Sequence, residues 1–183
     1  RRRRTLVGAA AGAGVLAALA PATGIADAAD DLDVLLDGSA LDLRAALARG
    51  AVTPLEVAER TAQRIAAARS LNAVVEFDAE AFVAAAKRLP RTRAARRLPL
   101  YGVPVALKDN VDCPPYRTTA GTPALREHRP RREADVVARL RAAGALIAGK
   151  TNMDELAAWG TTHNGVYGRT ANPYAPARHT GGS

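Results

Sequence analysis

The chain has 183 residues, 48% of them apolar and 24% charged, a balance that excludes a chain too polar to fold and a length that buries one domain rather than two. The formal charge of +8 invites a nucleic-acid reading, but Arg1 to Arg4 supply four of the positives and removal of residues 1–28 leaves 22 basic against 17 acidic residues, +5. Much of that remainder is one Pro-flanked cluster, Lys87, Arg88, Arg91, Arg93, Arg96 and Arg97, without interleaved aromatics or a binding motif; it reads as a solvated loop and excludes nucleic acid as the expected partner.

Taken in order, the chain opens with Arg1 to Arg4, an apolar Gly/Ala-rich run from Leu6 to Ala20, Pro21, and small residues up to Ala28. These are the three regions of a signal peptide, with cleavage expected after Ala28. The run is shorter than the roughly 20 apolar residues of a membrane span, so no stable span is expected after cleavage. Arg3-Arg4-Thr5-Leu6-Val7 also looks like a twin-arginine signal, which predicts export, to the cell envelope or beyond, of a protein already folded. The only methionine is Met153, so the sequence begins without one. The single cysteine, Cys113, rules out an intrachain disulfide and, without an adjacent His, reads as a loop or half-buried thiol.

After an acidic spacer, Asp30 to Asp37, Ser39 caps a short helix, Ala40 to Ala48, stopped by Gly50. Thr53-Pro54-Leu55-Glu56 supplies a capping box for a helix running to about Ala68, with Leu55, Ala58, Ala62, Ile65 and Ala66 at helical spacing. Leu71 to Phe77 reads as a strand, and Asp78 caps a helix from Ala79 to Arg88. Gly102 to Leu107 is a second strand, Val111 to Pro130 a long connection, and Ala134 to Ala143 a helix with Val136, Val137 and Leu140 in its apolar stripe. Gly144 ends that helix and Ala145 to Gly149 is a buried strand, a helix-to-strand unit of an α/β fold. Met153 to Trp159 reads as a helix start, with Leu156 and Trp159 packed in the core.

Two lysines end apolar strands: Lys108, before Asp109-Asn110, and Lys150, before Thr151-Asn152. A lysine held against apolar neighbours loses hydration of its ammonium form and becomes a proton acceptor; the plainer reading is a solvated lysine just past the strand. Ligands of open α/β sheets gather beyond the carboxyl ends of strands, so both strand ends point to one site. Spacing alone does not choose between the lysines. His163 and His179 lie in polar loops without a ligand motif, so no metal and no cofactor is expected. Gly181-Gly182-Ser183 alone is an ordinary turn or linker, and no phosphate-loop continuation follows it.

Read together, Gly102 to Asn110 (GVPVALKDN), Ala143 to Ala157 (AGALIAGKTNMDELA) and Asn172 to Ser183 (NPYAPARHTGGS) resemble the amidase signature family of serine hydrolases. Thr118 to Thr122 also resembles a stretch that this family places near its lysine. The resemblance implies an amidase-signature α/β fold, a mixed β-sheet flanked by helices, of which residues 29–183 are the N-terminal part. It assigns Lys108 as the base and Ser183, 75 residues on, as the bridging serine of a Ser-Ser-Lys triad. In relatives that serine has a cis peptide. Ala157 becomes a wall of the acyl pocket, and Gly181 and Gly182 part of the substrate-binding turn. The family's nucleophilic serine stands some two dozen residues beyond the bridging one. The expectation is therefore an amidase acting on a small-molecule or peptide amide in its full-length form, and no hydrolysis by residues 1–183 alone. The rival readings are a non-catalytic exported binding module and a small Ser/Lys hydrolase using Ser183 itself. Export argues against the branch of the family that acts on misacylated tRNA.

Overall fold

The computed structural model describes residues 28–181, with side chains from residue 32; the expected signal peptide and the Gly182-Ser183 pair lie outside the described residues, apart from Ala28 itself. Among the described residues, five α-helices and five strands follow in the order α1 (Ala28–Asp37), α2 (Ala40–Arg49), α3 (Pro54–Ala67), β1 (Val74–Glu76), α4 (Ala79–Arg88), β2 (Pro104–Lys108), α5 (Asp135–Ala142), β3 (Leu146–Thr151), β4 (His163–Asn164) and β5 (Gly168–Arg169). The acidic segment expected as a spacer is helix α1. Asp33 and Asp37 pair with Arg60 and Arg64 of α3, and Leu32 enters the core. The charges are too exposed to contribute much, so burial of Leu32, Leu35 and Leu36 stabilises the helix more.

Local signals account for the next helices. Ser39 accepts from Asp42 N at the start of α2, and Gly50 ends it in the left-handed region. Thr53 N donates to Glu56 Oε2 at 2.7 Å while Thr53 Oγ1 accepts from Glu56 N at 3.2 Å, the reciprocal capping box expected for α3. The buried face of α3 centres on Val57 and Ala58, with Ala66 outside it. Asp78 caps α4 through Ala81 N. In α5 only Val137 of the expected stripe is fully buried; Val136 is half exposed.

The three longer strands form one sheet in the order β1-β3-β2, with β3 antiparallel to β1 and parallel to β2. β1 is shorter than the expected strand because the chain first makes a 3-10 turn at Arg69–Leu71. On one face of the sheet, Leu146 and Ala148 pack with Ala58, Phe82 and Ala86 from α3 and α4. On the other, Leu107 and Ile147 pack with Cys113 and Val137 of α5. Cys113 is fully buried in this second cluster, rather than half-buried in a loop, and burial pushes its thiol up from the ordinary range. An apolar groove of about 660 Å³ runs along the first face, lined by Ile65, Val75, Phe77, Ala106 and Ala148 among others.

β3 carries one residue more than its neighbour. Val105 pairs with Ile147 but Leu107 pairs with Lys150, so Ala148-Gly149 bulges. Gly149 has φ +85°, and a Cβ there would stand 2.2 Å from the carbonyl oxygen of Glu76, so the bulge admits only glycine.

Candidate active site

The bulge leaves Lys150 opposite Leu107 and Lys108 opposite Thr151, at the carboxyl ends of two parallel strands. Lys150 is completely buried. Its Nζ donates to Asp109 Oδ1 at 3.2 Å, to Arg117 O at 2.8 Å and to Thr118 Oγ1 at 3.3 Å, which uses all three ammonium protons. Asp109 is equally buried, and its Oδ2 accepts from Thr119 N at 3.2 Å and from the Thr119 hydroxyl. Lys150 is thus committed to a buried pair with Asp109. Lys108, half-buried, lies on the sheet face shared with Pro104 and Ala106. The two strand-end lysines, indistinguishable by spacing, differ in surroundings.

From Asp109 the network continues through backbone. Asp109 N donates to Thr151 O at 3.1 Å and Ala120 N to Asp109 O at 3.2 Å, which folds the 118–122 stretch against the lysine-bearing strand end. Leu156 N then donates to Ala120 O at 2.8 Å, bringing the turn that holds Ala157 to the same place. This turn is not the expected helix. It is a 3-10 turn at Glu155–Ala157 in which Leu156 and Ala157 take φ +51° and +58°. Leu156 and Trp159 are 64% and 75% exposed, so neither packs in the core. Ala157 is half-buried.

Asp154, at the head of that turn, organises the third segment. It is 1% exposed and accepts from Thr161 N at 3.0 Å, Thr161 Oγ1 at 2.8 Å and His163 N at 3.1 Å. Burial raises its pKa, but hydrogen bonds from Thr162 N–H, the Thr161 hydroxyl, His163 N–H and Thr161 N–H outweigh it and hold the carboxyl below its ordinary range. Thr162 Oγ1 donates to Gly181 O at 2.6 Å, and Gly181 N donates to His179 Nδ1 at 3.2 Å. His163 stands exposed in the β4-β5 hairpin and His179 exposed beside Gly181. Among the described residues no group of three or more His, Cys, Asp or Glu side chains gathers as a metal site would require.

Of the expected site residues, Lys108 and Ala157 are chain neighbours of Asp109 and Leu156, which are linked through Ala120, and Gly181 is tied through Thr162 to the segment held by Asp154; Gly182 and Ser183 are outside the described residues. Sequence reasoning missed Asp109, Thr119, Asp154 and Thr162. A carboxylate directly after a strand-end lysine, ten residues before a Thr-Thr pair, was the available signal for the first two. Nothing local marks Asp154 or Thr162.

Residues 56–183 match the family profile described as Amidase. The chain is 41% identical over 152 residues to a glutamyl-tRNA(Gln) amidotransferase subunit of Lachnospira eligens, covering 81% of this chain and 32% of that protein. It superposes on the native peptide amidase of Stenotrophomonas maltophilia with a TM-score of 0.67 at 35% identity, covering 76% of this chain and 31% of the other. A 6-aminohexanoate cyclic dimer hydrolase bound to its substrate gives a TM-score of 0.71 at 29% identity, with 80% and 30% covered. The chain spans about a third of the length of these relatives. A profile match over most of the chain and a fold shared with solved amidases make this protein a member of the amidase family.

Proposed function

We propose that the complete gene product hydrolyses a carboxamide C–N bond through a Ser-Ser-Lys acyl-enzyme mechanism, with Lys108 as base and Ser183 as the bridging serine. The observation that carries this reading is that hydrogen bonds join the strand end of Lys108 to the 118–122 stretch and the Ala157 turn, and tie Gly181 through Thr162 to the segment held by Asp154. Lys150 is committed to Asp109, Arg117 O and Thr118, and the family resemblance gives the proton-accepting role to Lys108. In the reaction, neutral Lys108 takes the proton of the Ser183 hydroxyl. Ser183 in turn takes that of a second serine, which the family resemblance sets beyond it, and this serine attacks the carbonyl. Backbone N–H groups of the adjoining glycine-rich turn stabilise the oxyanion, a contribution of about 3 kcal/mol per donor. The nitrogen leaves with a proton, and water releases the acid. The test is labelling of the complete gene product by a serine-directed fluorophosphonate together with hydrolysis of a panel of simple carboxamides. Both activities should be present in the wild type and lost by at least about 1000-fold in Lys108→Ala and Ser183→Ala, the size of effect seen on removing a member of a coupled triad. Retention of either activity in both variants would sink the assignment.

The substrate class is a linear carboxamide. Relatives include a peptide amidase and a tRNA amidotransferase subunit, whose names share amide chemistry and little else. The twin-arginine-like start supports the exported, non-tRNA alternative, with Ala157, Gly181 and Gly182 against the acyl group. N-terminal mapping of the protein from its native host should begin at Ala29; a mature chain that retains Arg3-Arg4 would refute export by this route. Among the described residues no helix is long and apolar enough to cross a membrane.

A further inference from the structure

The turn that carries Gly181 is fastened by a strained residue. Thr162 is 9% exposed and has φ +51°, a left-handed conformation that a β-branched side chain adopts only when its surroundings impose it. The constraint comes from both sides. Asp154 takes the N–H groups of Thr161 and His163, the residues flanking Thr162, at 3.0 and 3.1 Å, and Thr170 N donates to Thr162 O at 3.0 Å. The backbone so held points the Thr162 hydroxyl at one acceptor, Gly181 O, at 2.6 Å. Gly181 itself has φ +78°, a left-handed conformation that glycine adopts without strain. Among the described residues its carbonyl accepts from Thr162 Oγ1 and, at 3.1 Å, from the neighbouring Thr180 Oγ1, and its N–H donates to His179 Nδ1.

We propose that Asp154 and Thr162 are positioning residues for the bridging serine: Asp154 holds Thr162 in its left-handed conformation, and the Thr162 hydroxyl fixes the Gly181 carbonyl two residues ahead of Ser183. This rests on the Ser-Ser-Lys reading above. Neither residue is given a contact with substrate. Their contribution is aim, at a Gly-Gly sequence whose intrinsic backbone freedom is the greatest any residue pair can have, and a displacement of about 1 Å at a reacting group costs on the order of 100-fold in rate.

Three variants of the complete gene product separate aim from folding. Thr162→Gly suits the positive φ, relieves the strain and removes the hydroxyl; Thr162→Ser keeps the hydroxyl; Thr162→Val keeps the shape without it. On a simple carboxamide, Thr162→Gly and Thr162→Val should lower kcat by about 10- to 100-fold with KM changed less than about threefold, and slow fluorophosphonate labelling in parallel. Thr162→Gly should do so without a fall in melting temperature, and Thr162→Ser should recover kcat to within about threefold of wild type. The proposal is overturned if Thr162→Gly keeps kcat within about twofold of wild type, if Thr162→Ser loses as much as Thr162→Val, or if kcat across the three merely follows melting temperature. Abolished hydrolysis in Lys108→Ala and Ser183→Ala alongside an active Thr162→Gly would remove this inference alone. Hydrolysis surviving in the first two would remove both.

Discussion

Lys150 shows how one residue can be read two ways until its neighbours are known. Its ammonium and the Asp109 carboxylate are both fully buried and 3.2 Å apart, so each depends on the other. Removing one partner of such a pair typically costs about 3–5 kcal/mol, because the remaining charge stays buried without compensation. Lys150→Met should therefore lower unfolding free energy in urea by about that much. The double variant with Asp109→Asn should cost clearly less than the two single losses combined; equal additivity would mean the pair is not coupled. Gly149→Ala is the complementary case: the left-handed φ alone costs about 1–2 kcal/mol, and the Glu76 carbonyl must also move, so a loss of at least about 2 kcal/mol is expected by the same measurement.

At the level of elements, legibility followed the range of the interaction that makes each one. Helices α2, α3 and α4 are set by caps within four residues of their starts, Ser39, Thr53 with Glu56, and Asp78, and all three were visible in the sequence. Replacing Thr53 by Ala should cost about 1 kcal/mol, seen as a lower urea midpoint with unchanged slope. Elements made by distant partners were not visible. Helix α1 looks like an acidic spacer until Arg60 and Arg64 are placed beside it. The Glu155–Ala157 turn looks like a helix start, but Leu156 N is claimed by Ala120 O, and the positive φ values that follow end any helix there. The candidate site was legible for a different reason: three short segments resemble one family. What the resemblance could not supply was the wiring between them, because Asp154 to Thr162 and Thr162 to Gly181 are contacts between loops with no periodicity to read.

Over the whole molecule, titration of buried groups bounds the pH range of the fold. Burial raises Cys113 from an ordinary 9.0 and, as the leading cause, Tyr116 and Tyr167 from an ordinary 10.0. The unfolded chain therefore releases these protons first, and stability should fall as pH rises past about 9. At the acid end the sign is reversed for Asp154, whose folded value is depressed: its contribution is full above the ordinary 3.8 and is lost as pH falls through the lower folded value. Urea midpoints measured across pH should thus decline at both ends, and Cys113→Ala should flatten the onset of the alkaline decline. An unchanged alkaline slope in that variant would show that the thiol does not contribute.

The extra residue in β3 has one more effect. Were Gly149 paired in step instead of bulged, it would face Leu107, Lys150 would stand beside Lys108 on the same side of the sheet, and Asp109 would lose its cation on the other. Two ammonium groups about 5 Å apart repel by about 3 kcal/mol at an effective dielectric of about 20, on top of the desolvation of the abandoned carboxylate. The bulge uses the sheet as a partition, so that Lys150 meets Asp109 on one side and Lys108 stands on the other.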